Sequence, residues 1–568
     1  EGRKFLLILA WLADIAAVAA FTIAIWYFVS AADELSTMLV SYGDTDIFVA
    51  FLGVCVLLEA TRRLFGLPLF LYGLFGGYLP SAIGHSGFSL AVTMEMVWYG
   101  FQGVYGTPLS IVIQVVLIFV VFGVMLEGTG ASNALIKIAF ALTGRTRGGV
   151  GHAAIVSSAL FGSMSGSVVA NVVGTGAFTI PMIIRRGFMP ATAGAIEAAA
   201  STGGQIMPPV MGAAAFLMAD LIGMSYLMIC LAALLPALFY YGALFVAVSL
   251  EAGKAGIQPI PPEQRERIDR KTMLDSLMFV IPIAVIIAVL VAGRSPAMAG
   301  FCAVIAVLVT ALALNPDLRR NPMRILDTVV KGGAAGASIV VAVAAIGIIL
   351  GTLNLTGIGL SFASTVAALG ENNLLLALLL TAATCLILGM GMPTLPAYLV
   401  IVLVMGRSLR ELGIEPLAIH LFVFYFGVLS AITPPVAVAV FAAAPIANSH
   451  PVATAIAALR LAFIGFVIPF IFVIEPSLLL VLDSFDLGQF VIAILALSVA
   501  ILALSTAFYA YDGAALAPLH CVFRGIIGLA PLAALLSNRF EVEIVVGCAV
   551  LLGLSMLIRQ RQRRFALG

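Results

Sequence analysis

Two stretches of this chain carry the same interruption at the same spacing. Gly187-x-x-Pro190 is followed, 18 positions after its proline, by the pair Pro208-Pro209; Gly413-x-x-Pro416 is followed, again 18 positions on, by Pro434-Pro435. Each proline pair lies inside an apolar run, STGGQIMPPVMG and GVLSAITPPVAV. Proline removes a backbone donor and pushes the residue before it out of the helical region. In hydrocarbon the freed backbone groups must be buried in protein or line a cavity. One matching break in each half of a hydrophobic chain is the sequence pattern of a binding centre at the heart of a secondary transporter.

Composition supplies the hydrocarbon. The 568 residues are 62% hydrophobic and 10% charged, with a mean hydropathy of +1.18. That is the make-up of an all-α polytopic membrane protein. A net charge of +1 gives no basic surface for nucleic acid. The six cysteines are scattered through apolar runs with no CxxC pair, and the five histidines show no HxxxH or HExxH spacing. They read as core and interface residues rather than a disulfide or metal frame. No Walker A motif is present, so ATP is not expected to drive this chain directly.

Apolar runs of spanning length fall near 5–29, 46–60 with 64–84, 109–128, 224–250, 272–292, 296–314, 327–353, 452–475, 489–510, 516–536 and 541–558. Twenty-two of the 28 basic residues sit in alternate connections, from Arg3-Lys4 to the run Arg559 to Arg564. The bias of Lys and Arg toward cytoplasmic loops puts those connections, and the C-terminus, inside. Arg145/Arg147 and Arg185/Arg186 then flank 148–184 on one face. That segment is expected to be a re-entrant hairpin with its tip at 163–167. Its counterpart, 373–406, enters from the other face with its tip at 389–394. Thr129-Gly130 and Thr356-Gly357 precede the two hairpins at a nearly constant offset. The expected organisation is a pair of inverted repeats, 109–250 and 336–475, each with a re-entrant helical hairpin and a Pro-broken helix. Residues 476–568 add three further spans.

Candidate site residues follow from the two tips. The first reads GSMSGSVVANVVGTG, with Gly166 for close backbone approach and Ser165, Ser167 and Asn171 as neutral oxygens. Facing it is the break Ser201-Thr202-Gly203-Gly204-Gln205. Unwound carbonyls with Ser, Thr or Asn oxygens suit a desolvated Na+. A helix N-terminus behind such a tip suits a substrate carboxylate. Small residues at close helix contacts explain a lone GxxxG equally well. The polar density here favours a site. In the second tip, Thr394 and Thr433 are the side-chain oxygens. Glu197 lies in an otherwise apolar helix, where an ionised carboxylate costs about 2.5–3.5 kcal/mol or more. It is read two ways: a proton-coupling carboxyl, or a structural one bonded to its neighbours. Asp220 and His420 are weaker candidates. Trp98, Tyr99 and Tyr105 read as interfacial anchors.

At GSMSGSVVANVVGTGAFTIPM, EAAASTGGQIMPPVMGAAAF and LEATRRLFGLPLF the chain resembles the fused permeases of tripartite ATP-independent periplasmic (TRAP) transporters, in particular those working with TAXI-type solute receptors. The resemblance covers roughly 45–475. It implies a small-subunit-like membrane domain, 1–106, trimmed at its N-terminus, fused ahead of a large-subunit-like domain, 107–475. It implies an elevator-type ion-transporter-like fold in the bacterial cytoplasmic (inner) membrane, surrounded by lipid. The partner is a periplasmic TAXI-type receptor that delivers a small organic acid, and an ion gradient, Na+ first and H+ second, drives uptake without an ATPase subunit. Carried onto this chain, the first ion site uses Ser165, Gly166, Ser167 and Asn171 with Gly204, Met207 and Pro208. The second uses Gly391 and Thr394 with Ala431, Thr433 and Pro434. Substrate lies between the tips, against Ser165, Ser167, Asn171, Ser201, Thr202, Gln205 and Thr394. No covalent cofactor is implied. The alternatives are the same fold coupled to protons through Glu197 and, from another class, an intramembrane enzyme.

Overall fold

The computed structural model describes residues 2–30, 42–65, 88–100, 103–265, 268–357, 373–390, 392, 394–537 and 541–567. The described residues are helical throughout, apart from turns and one isolated bridge between Tyr511 and Ala515. Among the described residues, eleven helices are long and apolar enough to cross a membrane. Ten of them fall where the apolar runs place spans, and the eleventh, Val168–Arg185, is the second leg of the expected first hairpin. The run at 46–60 becomes the helix Asp44–Phe65, whose ends carry Asp44, Asp46, Glu59, Arg62 and Arg63. Acids in its first turn and arginines in its last oppose the helix dipole. Most of the expected span at 64–84 lies outside the described residues, as does His85.

Both hairpins form. The first pairs Gly149–Ser165 with Val168–Arg185. Gly166 turns the chain at φ +61°, and Ser167 caps the second leg by accepting from the Ala170 N–H at 3.3 Å. The second pairs Leu374–Gly389 with Thr394–Glu411, five residues beyond the expected end at 406. Gly130 at φ +81° and Gly357 at φ +65° end the preceding helices in the left-handed region that glycine adopts most readily.

Each broken helix starts on a proline at its first turn, where the missing N–H costs nothing. The first runs Pro190–Gly204, unwinds, and resumes as Ala213–Ile222. The second runs Pro416–Leu429, tightens through Ser430–Ile432, unwinds, and resumes as Val438–Ala447. Pro208-Pro209 and Pro434-Pro435 are both cis. Met211, at φ 57°, and Ala437, at φ 40°, occupy matching places before the restart.

The hairpins and broken helices pack on one another and on Tyr226–Lys254 and Pro451–Ala462. Beside them stand Thr107–Gly128, the pair Arg270–Val291 and Pro296–Leu314, and the long helix Met323–Thr356, against which Asp44–Phe65 packs. Of the three last helices, Leu487–Tyr509 docks on Tyr226–Lys254, and Pro518–Ser537 and Glu541–Leu567 pack on Leu487–Tyr509 and on each other. Arg460 lies over the rings of Phe508 and Tyr509 at that joint. Trp98 differs from its expected anchoring place. It is fully buried, and a Cβ on Gly53 would lie 2.2 Å from its ring. The indole is a wedge between helices because Gly53 leaves the space.

Candidate functional site

Four helices begin around one cavity of 310 Å³. Ser167, Val168 and Val169 bring the start of the first hairpin's second leg. Thr394, Leu395 and Pro396 bring the same point of the second hairpin. Gly212 to Ala214 and Val438 bring the restarts of the two broken helices. The first N–H groups of a helix have no partner inside it, and its N-terminal end carries a positive partial charge. Four such ends converge here. No Lys, Arg, Asp or Glu is among the cavity's lining residues. The side-chain polarity comes from Ser167, Gln205, Ser338, Thr394 and Ser430, and Met211, Ile339, Leu395, Phe424 and Val438 supply apolar walls. The proline breaks supply two of these four ends, because an interrupted helix can start again beside the hairpin tips.

Gln205 stands at the centre of the polar part. Its Nε2 donates to the Gly166 carbonyl at 2.6 Å, and its Oε1 accepts from the Thr394 hydroxyl at 2.7 Å. One side chain thereby joins the tip of the first hairpin to the tip of the second. Close packing supports the join. A Cβ on Gly166 would lie 2.8 Å from the Gly212 Cα. The carbonyls of Pro209 and Val210 accept from the Tyr226 hydroxyl at 2.8 and 2.6 Å.

The expected site residues divide into two groups. Gly166, Ser167, Gln205, Thr394 and Ala431 line the cavity. Ser165 sits at its edge, its hydroxyl 3.5 Å from the Ser167 carbonyl. Gly204 packs against Gly162, and Met207 and Pro208 occupy the half-buried break. Thr433 gives its proton to the Leu429 carbonyl, and Pro434 follows it in the second break. Gly391 lies outside the described residues.

Asn171, Ser201 and Thr202 are turned away from the cavity. The Thr202 hydroxyl donates to Ala198 in its own helix at 2.7 Å. Asn171 donates to the carbonyls of Ser158 and Ser201 at 2.9 and 3.4 Å. It belongs to a second buried cluster whose centre is Glu197, 0% exposed. The Glu197 carboxylate accepts from Ser158 at 2.5 Å and from Ser201 at 3.2 Å, and Thr175 and Thr179 complete the cage. No cation bonds to it among the described residues. Ser158, Thr175 and Thr179 escape a tip-centred search. Their signal is in the sequence: Asn171, Thr175 and Thr179 recur every fourth residue and so share one face of a helix.

Asp220 is exposed at the end of its half-helix. His420 is buried and meets the Tyr398 hydroxyl at 2.6 Å.

The model of the family described as "Tripartite ATP-independent periplasmic transporter, DctM component" matches residues 52–487. The chain belongs to that family. The C4-dicarboxylate TRAP transporter large permease protein DctM of Pseudomonas aeruginosa is 26% identical, over 64% of this chain and 84% of its own. The sialic acid TRAP transporter large permease protein SiaM of Vibrio cholerae is 24% identical, over 57% of this chain and 74% of its own. The solved YdaH transporter of Alcanivorax borkumensis aligns with a TM-score of 0.45 at 17% identity, over 72% of this chain and 98% of that one. This TRAP permease is therefore a multi-pass membrane transporter and not an enzyme, and the intramembrane-enzyme alternative falls.

Proposed function

We propose that this TRAP permease takes up a small organic acid, handed over by a periplasmic receptor of the TAXI type, and drives the step with a Na+ gradient. The single observation behind the substrate class is the meeting of four helix N-termini at a cavity without charged side chains. Peptide dipoles fixed in a low-dielectric interior favour an anion and need no reorganisation when it arrives. Named relatives point the same way, toward a C4-dicarboxylate in one case and sialic acid in another.

Support for Na+ comes from the two breaks. Both release carbonyls from the helical ladder. The Thr394 hydroxyl spends its proton on Gln205 and keeps its lone pairs for another partner. The two ion sets are proposed to form around these breaks, without Asn171, which is turned toward Ser158 and Ser201. Residues 1–106 are read as the small-subunit-like part, 109–250 and 336–475 as inverted repeats, and the C-terminus as cytoplasmic. The two hairpins and broken helices would slide as a unit in an elevator-type motion.

Proton coupling is the second reading, favoured by the Glu197 cage. Its hydroxyl oxygens stand at hydrogen-bond distance from the carboxylate, which leaves no room for a metal ion between them. A buried carboxylate with no cation beside it is easiest to carry through a membrane when protonated.

Uptake into proteoliposomes separates these readings. Labelled 2-oxoglutarate or glutamate is supplied with the cognate receptor outside, under either a Na+ gradient or a pH gradient. Uptake that needs both receptor and Na+ supports the main reading. Uptake on the pH gradient alone supports Glu197, and uptake indifferent to the receptor defeats the receptor-dependent assignment.

A further inference from the structure

We propose that Gln205 is a positioning residue that latches the two hairpins together across the substrate cavity. The inference rests on reading that cavity as the substrate site. Gln205 is 6% exposed and sits where the first broken helix unwinds. The Gly166 carbonyl can only accept, so it must face the Gln205 amide nitrogen, and the amide oxygen must then face Thr394. The orientation of the side chain is fixed by chemistry at both ends. The latch also sets the Thr394 hydroxyl. With its proton held by Gln205, only its lone pairs remain for an ion or a substrate donor.

The latch breaks the symmetry of the repeats. Shifted by the 226 positions that relate Pro190 to Pro416, Gln205 corresponds to Ala431 and Thr394 corresponds to Val168. The mirrored pair is apolar and makes no such bond. The bridge is therefore one-sided, running from the first broken helix to the second hairpin with no counterpart at the mirrored positions. Both tips must keep their spacing while substrate lies between them. Gln205 holds that spacing directly, through a hydrogen bond to each.

The bridge predicts coupled mutational effects. Gln205→Leu and Thr394→Val each raise the apparent KM for substrate about tenfold, the size of one or two lost hydrogen bonds, with maximal rate changed less than about twofold. The double variant falls short of the product of the two single effects, because the bond that Thr394→Val removes is already gone in Gln205→Leu. Thr394→Ser keeps the hydroxyl and restores the wild-type KM. A second readout needs no substrate. Cysteines placed at Val169 and Met392, both lining the cavity, report tip spacing through their cross-linking rate in proteoliposomes. Gln205→Leu changes that rate if the latch exists. Unchanged cross-linking, or singles whose effects multiply in the double variant, overturns the latch. Changed cross-linking with an unchanged KM upholds the latch and counts instead against the cavity as the substrate site.

Discussion

Gly162 and Gly204 face each other across the first hairpin and the first break so closely that a Cβ on either would lie 2.6 Å from the other's Cα. The second half repeats the contact with one change. Gly389 meets Ser430, whose hydroxyl oxygen would be 2.6 Å from an added Cβ. In both halves a glycine of the hairpin's first leg lets the unwound helix approach. The backbone of the break is thereby pressed against the tip that shapes the cavity.

Gly204→Ala and Gly162→Ala test this approach. Neither backbone can yield without moving the tip, so each variant should lose most uptake and lose about 1–3 kcal/mol of stability from overpacking. Gly242→Ala is the control. Its Cβ meets open space in the helix Tyr226–Lys254, and alanine favours a helix interior. Uptake in proteoliposomes and thermal unfolding in detergent give the two readouts. A fully active Gly204→Ala would show that the contact is slack.

The Glu197 cage separates a charge-carrying carboxyl from a structural one. Glu197→Gln keeps the shape and offers one oxygen and two N–H groups to Ser158, Thr175, Thr179 and Ser201. Glu197→Ala leaves those hydroxyls without their acceptor and opens a void, at a cost of at least about 2 kcal/mol. Under Na+ coupling, Glu197→Gln transports within about twofold of wild type on a Na+ gradient, while Glu197→Ala fails to fold stably. Loss of gradient-driven uptake in a stable Glu197→Gln protein would move the coupling to this carboxyl.

Much of this arrangement is legible in the chain because its signals are local. Gly, Pro and the apolar runs announce the breaks, the hairpins and the tips, and those act through backbone geometry within a few residues. Gln205 and Thr394 could be named as site residues from their places at a break and a tip. Their mutual bond could not, since it joins positions 189 residues apart through tertiary packing. Asn171 shows what the sequence leaves out. Its place beside the tip suggests an ion ligand, yet helical periodicity turns it onto the face it shares with Thr175 and Thr179. Trp98 misleads because an indole at a membrane boundary and an indole packed into a glycine notch look alike in sequence. Ser338 and Ile339 line the cavity from a long uniform helix that carries no local mark of a site.

The C-terminal helices depend on a buried ion pair. Arg524, 1% exposed, donates to Asp512 at 2.6 Å, and Arg559 approaches the same carboxylate at 3.1 Å. Asp512→Ala removes this carboxylate from a buried guanidinium and should destabilise the region by about 3–5 kcal/mol. Replacing both, as Asp512→Leu with Arg524→Met, should recover most of the loss. Limited proteolysis and thermal unfolding distinguish the two variants. Equal damage from both would show that packing, and not the charge, is what the pair provides.

Glu475 makes stability depend on pH. It lies in the connection between the spans Pro451–Ile474 and Leu487–Tyr509. Burial first, then the negative charges of Glu541 and Asp486, push its carboxyl from 4.5 up to about 7. The folded protein therefore binds this proton more tightly than the unfolded chain does. Between those two values the native state holds more protons, so stability falls as pH rises. The favourable contribution of the neutral carboxyl is complete below pH 4.5 and gone above about 7. Glu475→Gln keeps the neutral form at every pH. Its melting temperature should match wild type at pH 4.5 and exceed it at pH 8, with the gap opening between. A gap that is constant across this range would assign the effect to packing rather than to the proton.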